Sequence, residues 1–449
     1  MAKKVFALTA LLTLALFIVL NTPKPIRIEG DGVFYYSWLH SAFFDHDIDF
    51  RNQYQHFAEY DFYSRKFTEE NKITPAGKMP NAYAFGAAIM WLPFFAAAHI
   101  FSLVLQNINF EIFRADGYSF FYIFSINLSG WVYGLLSILI IYRTSRLIFC
   151  DRPEKLRALT AVFVIWLATP WIYYHFFEPF MAHMASLFLV SSFTFISVKI
   201  WRSESKNTQK TSIRKFGMLD IIDIINDNWP LITIAFLMIS TRWQNSIFLL
   251  ALIPLILPVR QKYGANALVL FARKITPLLL PVIIWLFIQS LVWHHLYGKY
   301  FLVPQGYRFV QFKFDGFYTL FSSDRGLLLW SPIIIFAILG LFYLFKRSKK
   351  LALAVMFAFV GQWVINSSLN DIGGGDAFGA RRFIELLPLL SISLTALFVN
   401  FKKQFWLICF ISALLILWNL VLLGDYRKGA LPRSGEFDVF KVKYFNAIK

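Results

Sequence analysis

Residues 118–142 read YSFFYIFSINLSGWVYGLLSILIIY, without one Asp, Glu, Lys or Arg, and Arg143 closes the run. An α-helix needs about 20 mostly apolar residues to cross a bilayer, so this stretch reads as a membrane span. The pattern recurs outward along the chain, at about 82–105, 157–173, 180–200, 231–258, 275–297, 328–345, 351–366, 384–400 and 404–423. Met1 to Asn21 opens with Lys3 and Lys4 and continues apolar. Thr22-Pro23-Lys24-Pro25 follows it rather than a small-residue cleavage site, so we expect an uncleaved first span with a cytoplasmic N-terminus. No internal repeat and no duplication of halves is evident.

Composition agrees. Of 449 residues, 58% are hydrophobic and 16% charged, against about 45–50% and about 25% in a soluble domain. This excludes a soluble enzyme, a secreted disulfide scaffold and a disordered protein. The net charge of +18 would point to nucleic acid on a soluble protein. Here the bases punctuate apolar runs, which reads as topology signalling and lipid-headgroup contact, with no nucleic-acid partner. Cys150 and Cys409 are too far apart to define a disulfide or metal pattern.

The intervening segments alternate in character. Segments 143–157, 199–217, 259–274 and 346–350 are rich in Lys and Arg and read as cytoplasmic. Segments 21–81, 173–183, 298–327 and 367–383 carry aromatics, Gly, Asn and carboxylates and belong on the opposite face. Two apolar runs then lie between an outer first loop and an inner 143–157, one too many. We expect 82–105, which holds Pro93, to be re-entrant or interfacial. Arg242 interrupts 231–258, and a charge at mid-membrane is costly. A hairpin of two legs turning at Thr241 to Asn245 puts Arg242 on the outer side. The expected fold is an all-α polytopic membrane protein of about eleven spans occupying 1–423, with a long first outer loop bearing interfacial helices. A short tail, 424–449, ends outside.

The first loop, 21–81, holds nine acids against seven bases in a strongly basic chain. Within it, Glu29-Gly30-Asp31-Gly32 comes just after the first span. The glycines permit a turn, and Asp31 can open a helix with an interfacial aromatic face of Phe34, Tyr35 and Trp38. A carboxylate held there could take a proton from an acceptor; the plain alternative is a helix cap. Asp45-His46-Asp47-Ile48-Asp49 offers oxygen ligands to a hard cation, against its reading as a solvated turn. No cofactor is otherwise implied. Lys78 in Lys78-Met79-Pro80-Asn81 sets a cation at headgroup level.

These motifs resemble the GT-C superfamily of integral-membrane glycosyltransferases, the group of the protein O-mannosyltransferases and the lipid A aminoarabinose transferases. Asp31 matches the place of that family's loop carboxylate. Lys78 to Gly86 with Trp91-Leu92-Pro93 resembles the segment ending the loop, and Phe177-Glu178-Pro179-Phe180-Met181-Ala182-His183 resembles an outer acidic turn. The turn carries Glu178 where the family pattern has Asp, and Met79 stands where it has Pro. The resemblance implies transfer of a sugar from a polyprenyl-phosphate carrier to a lipid, glycan or protein acceptor, at the outer face of what would be a bacterial plasma membrane. Asp31 would be the base. For the donor phosphate, Asp371 to Phe383 combines Gly373-Gly374-Gly375, Asp376 and Arg381-Arg382. Glycine amides can form an anion nest, and guanidinium forks match phosphate. Lys78 would support them. Glu29, Glu178, His183, Arg242, Arg308 and Arg325 are further site candidates. Two other classes remain open: an O-antigen ligase-like transferase, and a lipid or glycan transporter or flippase.

Overall fold

The structure is a computed structural model that describes residues 2–22, 24–105, 113–149, 152–206, 218–256, 267–304, 314–371 and 373–437. Arg308 and Cys150 lie outside the described residues, as do Lys210, Arg214, Lys215, Arg260 and Lys262.

The chain begins with α1 (Ala2–Asn21) and enters a long loop region holding α2 (Asp31–His40), α3 (Arg51–Phe57), α4 (Phe62–Glu69) and α5 (Gly86–Leu105). Then come α6 (Phe120–Ile148), α7 (Arg152–Leu167), the short α8 (Trp171–Phe176) and α9 (His183–Lys206). α10 (Met218–Thr241) and α11 (Ser246–Ile256) form a hairpin, followed by α12 (Ala267–Tyr297). α13 (Gly316–Phe321) and α14 (Leu327–Trp330) are short. α15 (Ile333–Arg347), α16 (Lys349–Ser367), α17 (Leu387–Asn400) and α18 (Phe405–Arg427) are the last helices among the described residues. No strand occurs among the described residues, and eight helices there are long and apolar enough to cross a membrane. The protein is an all-α, multi-pass membrane protein.

Side-chain contacts orient the bundle. α6 and α9 run side by side in the same direction: Tyr133 packs on Phe188, and Arg202 donates to the Leu147 carbonyl. Arg347, ending α15, donates to the Ile148 carbonyl at 3.0–3.2 Å. One face of the bundle thus gathers the basic helix ends, each cation satisfying C-terminal carbonyls that helices leave open. The opposite face receives the first loop, the α10–α11 turn and the segment before α17.

α5 covers most of the run expected to be re-entrant or interfacial. It is one continuous helix with Pro93 inside. Its contacts do not lead it to the basic face. Tyr133 donates to the Met90 carbonyl at 2.7 Å, His99 Nδ1 lies 2.6 Å from the Tyr122 hydroxyl, and Phe101 packs on Phe121. α5 therefore climbs beside the first half of α6 in the reverse direction and stays in the loop half. Its length and composition would let it cross; its contacts keep it beside the first half of α6. With α5 set aside, α1, α6, α7, α9, α10, α11, α12, α15, α16, α17 and α18 make up the bundle; the eight helices long and apolar enough to cross among the described residues include α5.

α17 is the axis of the bundle. It is buried along nearly its whole length, and small residues let its neighbours approach: Gly340 of α15 lies against the Ser393 carbonyl, and Ser393 donates to that of Ala337. A central helix fixed this way holds the residues just before it rigidly. Those residues, Arg381 to Leu386, are where the charges lie.

Candidate functional site

The site begins with the turn after α1. Gly30 takes φ +55°, a conformation that favours glycine, and its amide donates to Asp61 at 2.7 Å. The chain can then start α2 at Asp31, placing that carboxylate among the free amides of the first turn. Gly32 packs directly on the Phe180 ring, where a Cβ would lie 2.4 Å from a ring carbon. This close approach docks α2 on the Phe177 to His183 turn.

Tyr83 locks the other side. It stacks on Phe34, accepts from Trp38 Nε1 through its carbonyl, and donates its hydroxyl to Asp31 Oδ1 at 2.7 Å. Asp31 Oδ2 lies 3.0 Å from Arg381 Nη1, an ion pair joining residues far apart in sequence. Arg381 Nη2 donates to the Gly374 carbonyl at 2.7 Å, and Gly374 has φ +78°. Burial pushes the Asp31 carboxyl up, but the Arg381 guanidinium and the Tyr83 hydroxyl outweigh it and hold the group below its ordinary range. Asp31 is thus an ionised carboxylate with a cation on one oxygen and a donor on the other. Burial, with Asp31 adding to it, pushes the Tyr83 hydroxyl well above its ordinary value, so Tyr83 stays a proton donor.

One turn beyond Arg381 lies Glu385, which is buried. His183 Nδ1 is 3.1 Å from its Oε1, and Arg242 Nε is 3.5 Å from the same oxygen. Arg242 Nη1 is 3.0 Å from His183 Nδ1. Arg242 leads out of the α10–α11 turn as the hairpin requires. Two carboxylates and two guanidiniums therefore compensate one another in a small, largely buried volume, with Asp31 its most exposed member.

Glu178 flanks this group. It accepts the Tyr173 hydroxyl at 2.8 Å, and burial pushes its carboxyl up to about 7.

The remaining candidates are placed differently. Arg382 donates to both the carbonyl and the carboxylate of Asp371, so it braces the glycine turn rather than joining Asp31. Lys78 lies 4.0 Å from Asp49, and no contact ties it to Asp31. Arg325 is buried and fully used: it bonds Asp324, the Ala377 carbonyl and the carbonyls of Pro432 and Arg433. It clamps the chain after α18 onto the loop before Arg381, and is not available to a ligand. Glu29 and Asp376 are exposed. The acidic run is a turn whose carboxylates are used locally: Asp45 accepts from Asn52 and Gln53, and Asp47 from Ser41. Among the described residues, no group of three His, Cys, Asp or Glu side chains is arranged to hold a metal.

Sequence reading missed Glu385 and the role of Tyr83. Glu385 had a signal, an acid at the head of an otherwise apolar run, which in a membrane protein marks a paired or functional charge. The Tyr83 hydroxyl had none, since nothing local reveals that it faces Asp31.

Fold and site together define an α-helical multi-pass membrane protein with a buried ionic centre where its first loop meets the bundle. No protein-family model matches the sequence, and no curated protein matches it. Among solved structures, the chain is similar to the archaeal oligosaccharyltransferase AglB from Archaeoglobus fulgidus, in complex with an inhibitory peptide and a dolichol-phosphate. The identity is 13%, the TM-score 0.47, and the alignment covers 99% of this chain and 53% of that one. The chain thus spans about half the length of that protein.

Proposed function

We propose that this protein transfers a sugar from a polyprenyl-phosphate donor to a hydroxyl or amine acceptor at the face bearing Asp31. The observation that carries the proposal is the Asp31–Arg381 pair, a carboxylate and a guanidinium 3.0 Å apart at the mouth of a membrane bundle. A lipid-phosphate sugar needs a base for the incoming nucleophile and a cation for the leaving phosphate, both near headgroup level, and these two groups supply them. The face opposite the basic helix ends is the periplasmic or extracellular one under the positive-inside rule; a bacterial plasma membrane is our proposed setting.

The steps follow from the charges. The donor phosphate competes with Asp31 for Arg381. As the guanidinium fork turns to phosphate oxygens, Asp31 loses its counter-charge and becomes a stronger base. The acceptor oxygen or nitrogen attacks the anomeric carbon while its proton passes to Asp31. The bond from that carbon to the phosphate oxygen breaks, and the polyprenyl phosphate leaves with the electron pair. Its growing charge is stabilised by Arg381, with Arg242 beside it. The phosphate leaves as an anion, so no strong general acid is required, and Tyr83 keeps Asp31 oriented.

The test is transfer of radiolabelled sugar from a short-chain polyprenyl-phosphate donor in membranes containing the protein or its Asp31→Asn variant. Asn keeps the shape and removes the basicity, and we expect turnover to fall about 10²–10⁴-fold. Near-normal turnover in the variant would show that Asp31 is not the base. Absence of transfer by the wild type across a panel of hexose and pentose donors would remove the proposed activity itself.

A further inference from the structure

On the basic face, away from the charged centre, α1, α7 and α18 flank an open apolar groove with a cavity volume of about 380 Å³. Val5 of α1, Leu159 and Phe163 of α7, and Cys409 and Ile416 of α18 line it. α1 and α18 present large apolar side chains on their outer faces, with Leu11 66% exposed and Phe410 62% exposed, so the cavity lies at the lipid-facing surface of the bundle. Val5 is in the first turns of α1 and Cys409 in those of α18. The sequence just outside each is basic, with Lys4 on one side and Lys402 and Lys403 on the other. The cavity therefore opens in the leaflet opposite Asp31.

Arg157 lies near it without lining it. It is in the second turn of α7, next to the cavity-lining Leu156, and its guanidinium lies 5.4 Å over the Phe405 ring at the start of α18. Phe405 is one helical turn before Cys409. Arg157 Nε and Nη1 are buried and make no hydrogen bond. An unmatched buried donor is costly, and more so when charged. Phosphate oxygens offer the geometry that a guanidinium accepts, and basic pockets between helices on this face take anionic headgroups.

We infer that the groove between α1, α7 and α18 is a binding site for an anionic glycerophospholipid, with an acyl chain in the cavity and the headgroup phosphate on Arg157. The surrounding lysines favour a net negative headgroup over a zwitterionic one. The bound chain fills the gap between the helix that leads into Asp31 and the helix whose continuation Arg325 clamps beside Arg381. Occupancy thus stabilises the two peripheral helices of the site. The inference is independent of the proposed chemistry, because it concerns the other leaflet and is read without a transfer assay.

The test uses the full-length protein in detergent with phosphatidylglycerol or phosphatidylcholine of the same acyl chains. Retained lipid is measured by native mass spectrometry, and the apparent melting temperature is measured in parallel. The wild type should retain one phosphatidylglycerol, with a preference of about fivefold over phosphatidylcholine, and its melting temperature should rise with that lipid. Arg157→Gln should bring the two lipids to parity. Ala413→Phe, which fills the cavity and leaves Arg157 in place, should lose both. Equal retention by the wild type, or a preference that survives Arg157→Gln, overturns the site. So does a preference abolished by Lys402→Gln with Lys403→Gln while Arg157→Gln keeps it.

Discussion

Arg381 and Arg382 are adjacent and do different things. Arg381 faces Asp31, whereas Arg382 ties Asp371 to the glycine turn. Lysine at 381 offers a point charge where a fork is needed. Arg381→Lys should therefore lower both turnover and donor affinity, with a summed loss in kcat/KM of at least about tenfold, the low end for one good charged contact. Arg382→Lys should keep turnover within a few-fold and loosen the loop instead, seen as faster proteolysis there. Separate kcat and KM values for the two variants decide it, and equal effects at both positions would refute the division of labour. The pairing also changes what Asp31→Asn does. It leaves Arg381 without its counter-charge, which costs about 3–5 kcal/mol for a deeply buried pair. With Asp31 26% exposed, about 1–3 kcal/mol is the expectation, read as a lowered melting temperature beside the loss of turnover. Glu178 gives a pH prediction of definite sign. Its folded value of about 7 exceeds the ordinary value of 4.5, so between these the folded protein binds more protons than the unfolded chain. Stability from this group is full below about pH 4.5 and is lost as pH rises through about 7. Glu178→Gln should match the wild type at pH 5 and exceed it at pH 8 by about 1–3 kcal/mol, measured by thermal unfolding in detergent. A variant less stable than the wild type at pH 8 would contradict the sign.

Two helix contacts bring the site together, and both depend on missing side chains. Gly130 of α6 lies so close to the Pro179 carbonyl that a Cβ would stand 2.1 Å from it, and Gly32 of α2 is pressed on Phe180. α6, the 177–183 turn and α2 form a stack, and Asp31 sits at its end. Gly130→Ala must push the turn off α6, moving Phe180 and, through it, α2. Overpacking of this kind costs about 1–3 kcal/mol, and a displacement of about 1 Å at a reacting group can cost about 10²-fold in rate. Gly130→Ala should lose activity out of proportion to stability. Gly424→Ala, whose added Cβ meets nothing within 4 Å, serves as the helix-glycine control. Wild-type turnover in Gly130→Ala would show that the stack does not position Asp31.

For the whole molecule, the decisive question is which ends share a face. α5 is apolar and 20 residues long, yet both its ends lie with the loop. Single cysteines at exposed positions in 21–81, in 367–371 and in the segment after α18 should therefore label together with a membrane-impermeant maleimide in intact cells. Cysteines near Ser203 and at Lys346 to Lys350 should label only after permeabilisation. A crossing α5 would put the first loop and the segment before α6 on opposite faces, so labelling at Ala115 from the side opposite Glu59 would overturn the arrangement.

The sequence by itself determined the class of protein, the alternation of basic and carboxylate-rich segments and the α10–α11 hairpin. These depend on local quantities: the length of an apolar run, the cost of a charge in hydrocarbon and the bias of Lys and Arg at span ends. It also singled out Asp31, Arg381, Arg242 and His183, because charged residues at span ends are few. Tertiary structure alone decided how they combine. Asp31 pairs with Arg381 rather than Arg382, Arg325 is a clamp, Lys78 goes to Asp49, and Glu385 joins Arg242 to His183. The direction of a side chain at the end of a span is set by which helices lie beside it. That is fixed by close approaches such as Gly32 on Phe180 and Gly340 on Ser393, contacts between residues more than 50 positions apart that no local pattern encodes.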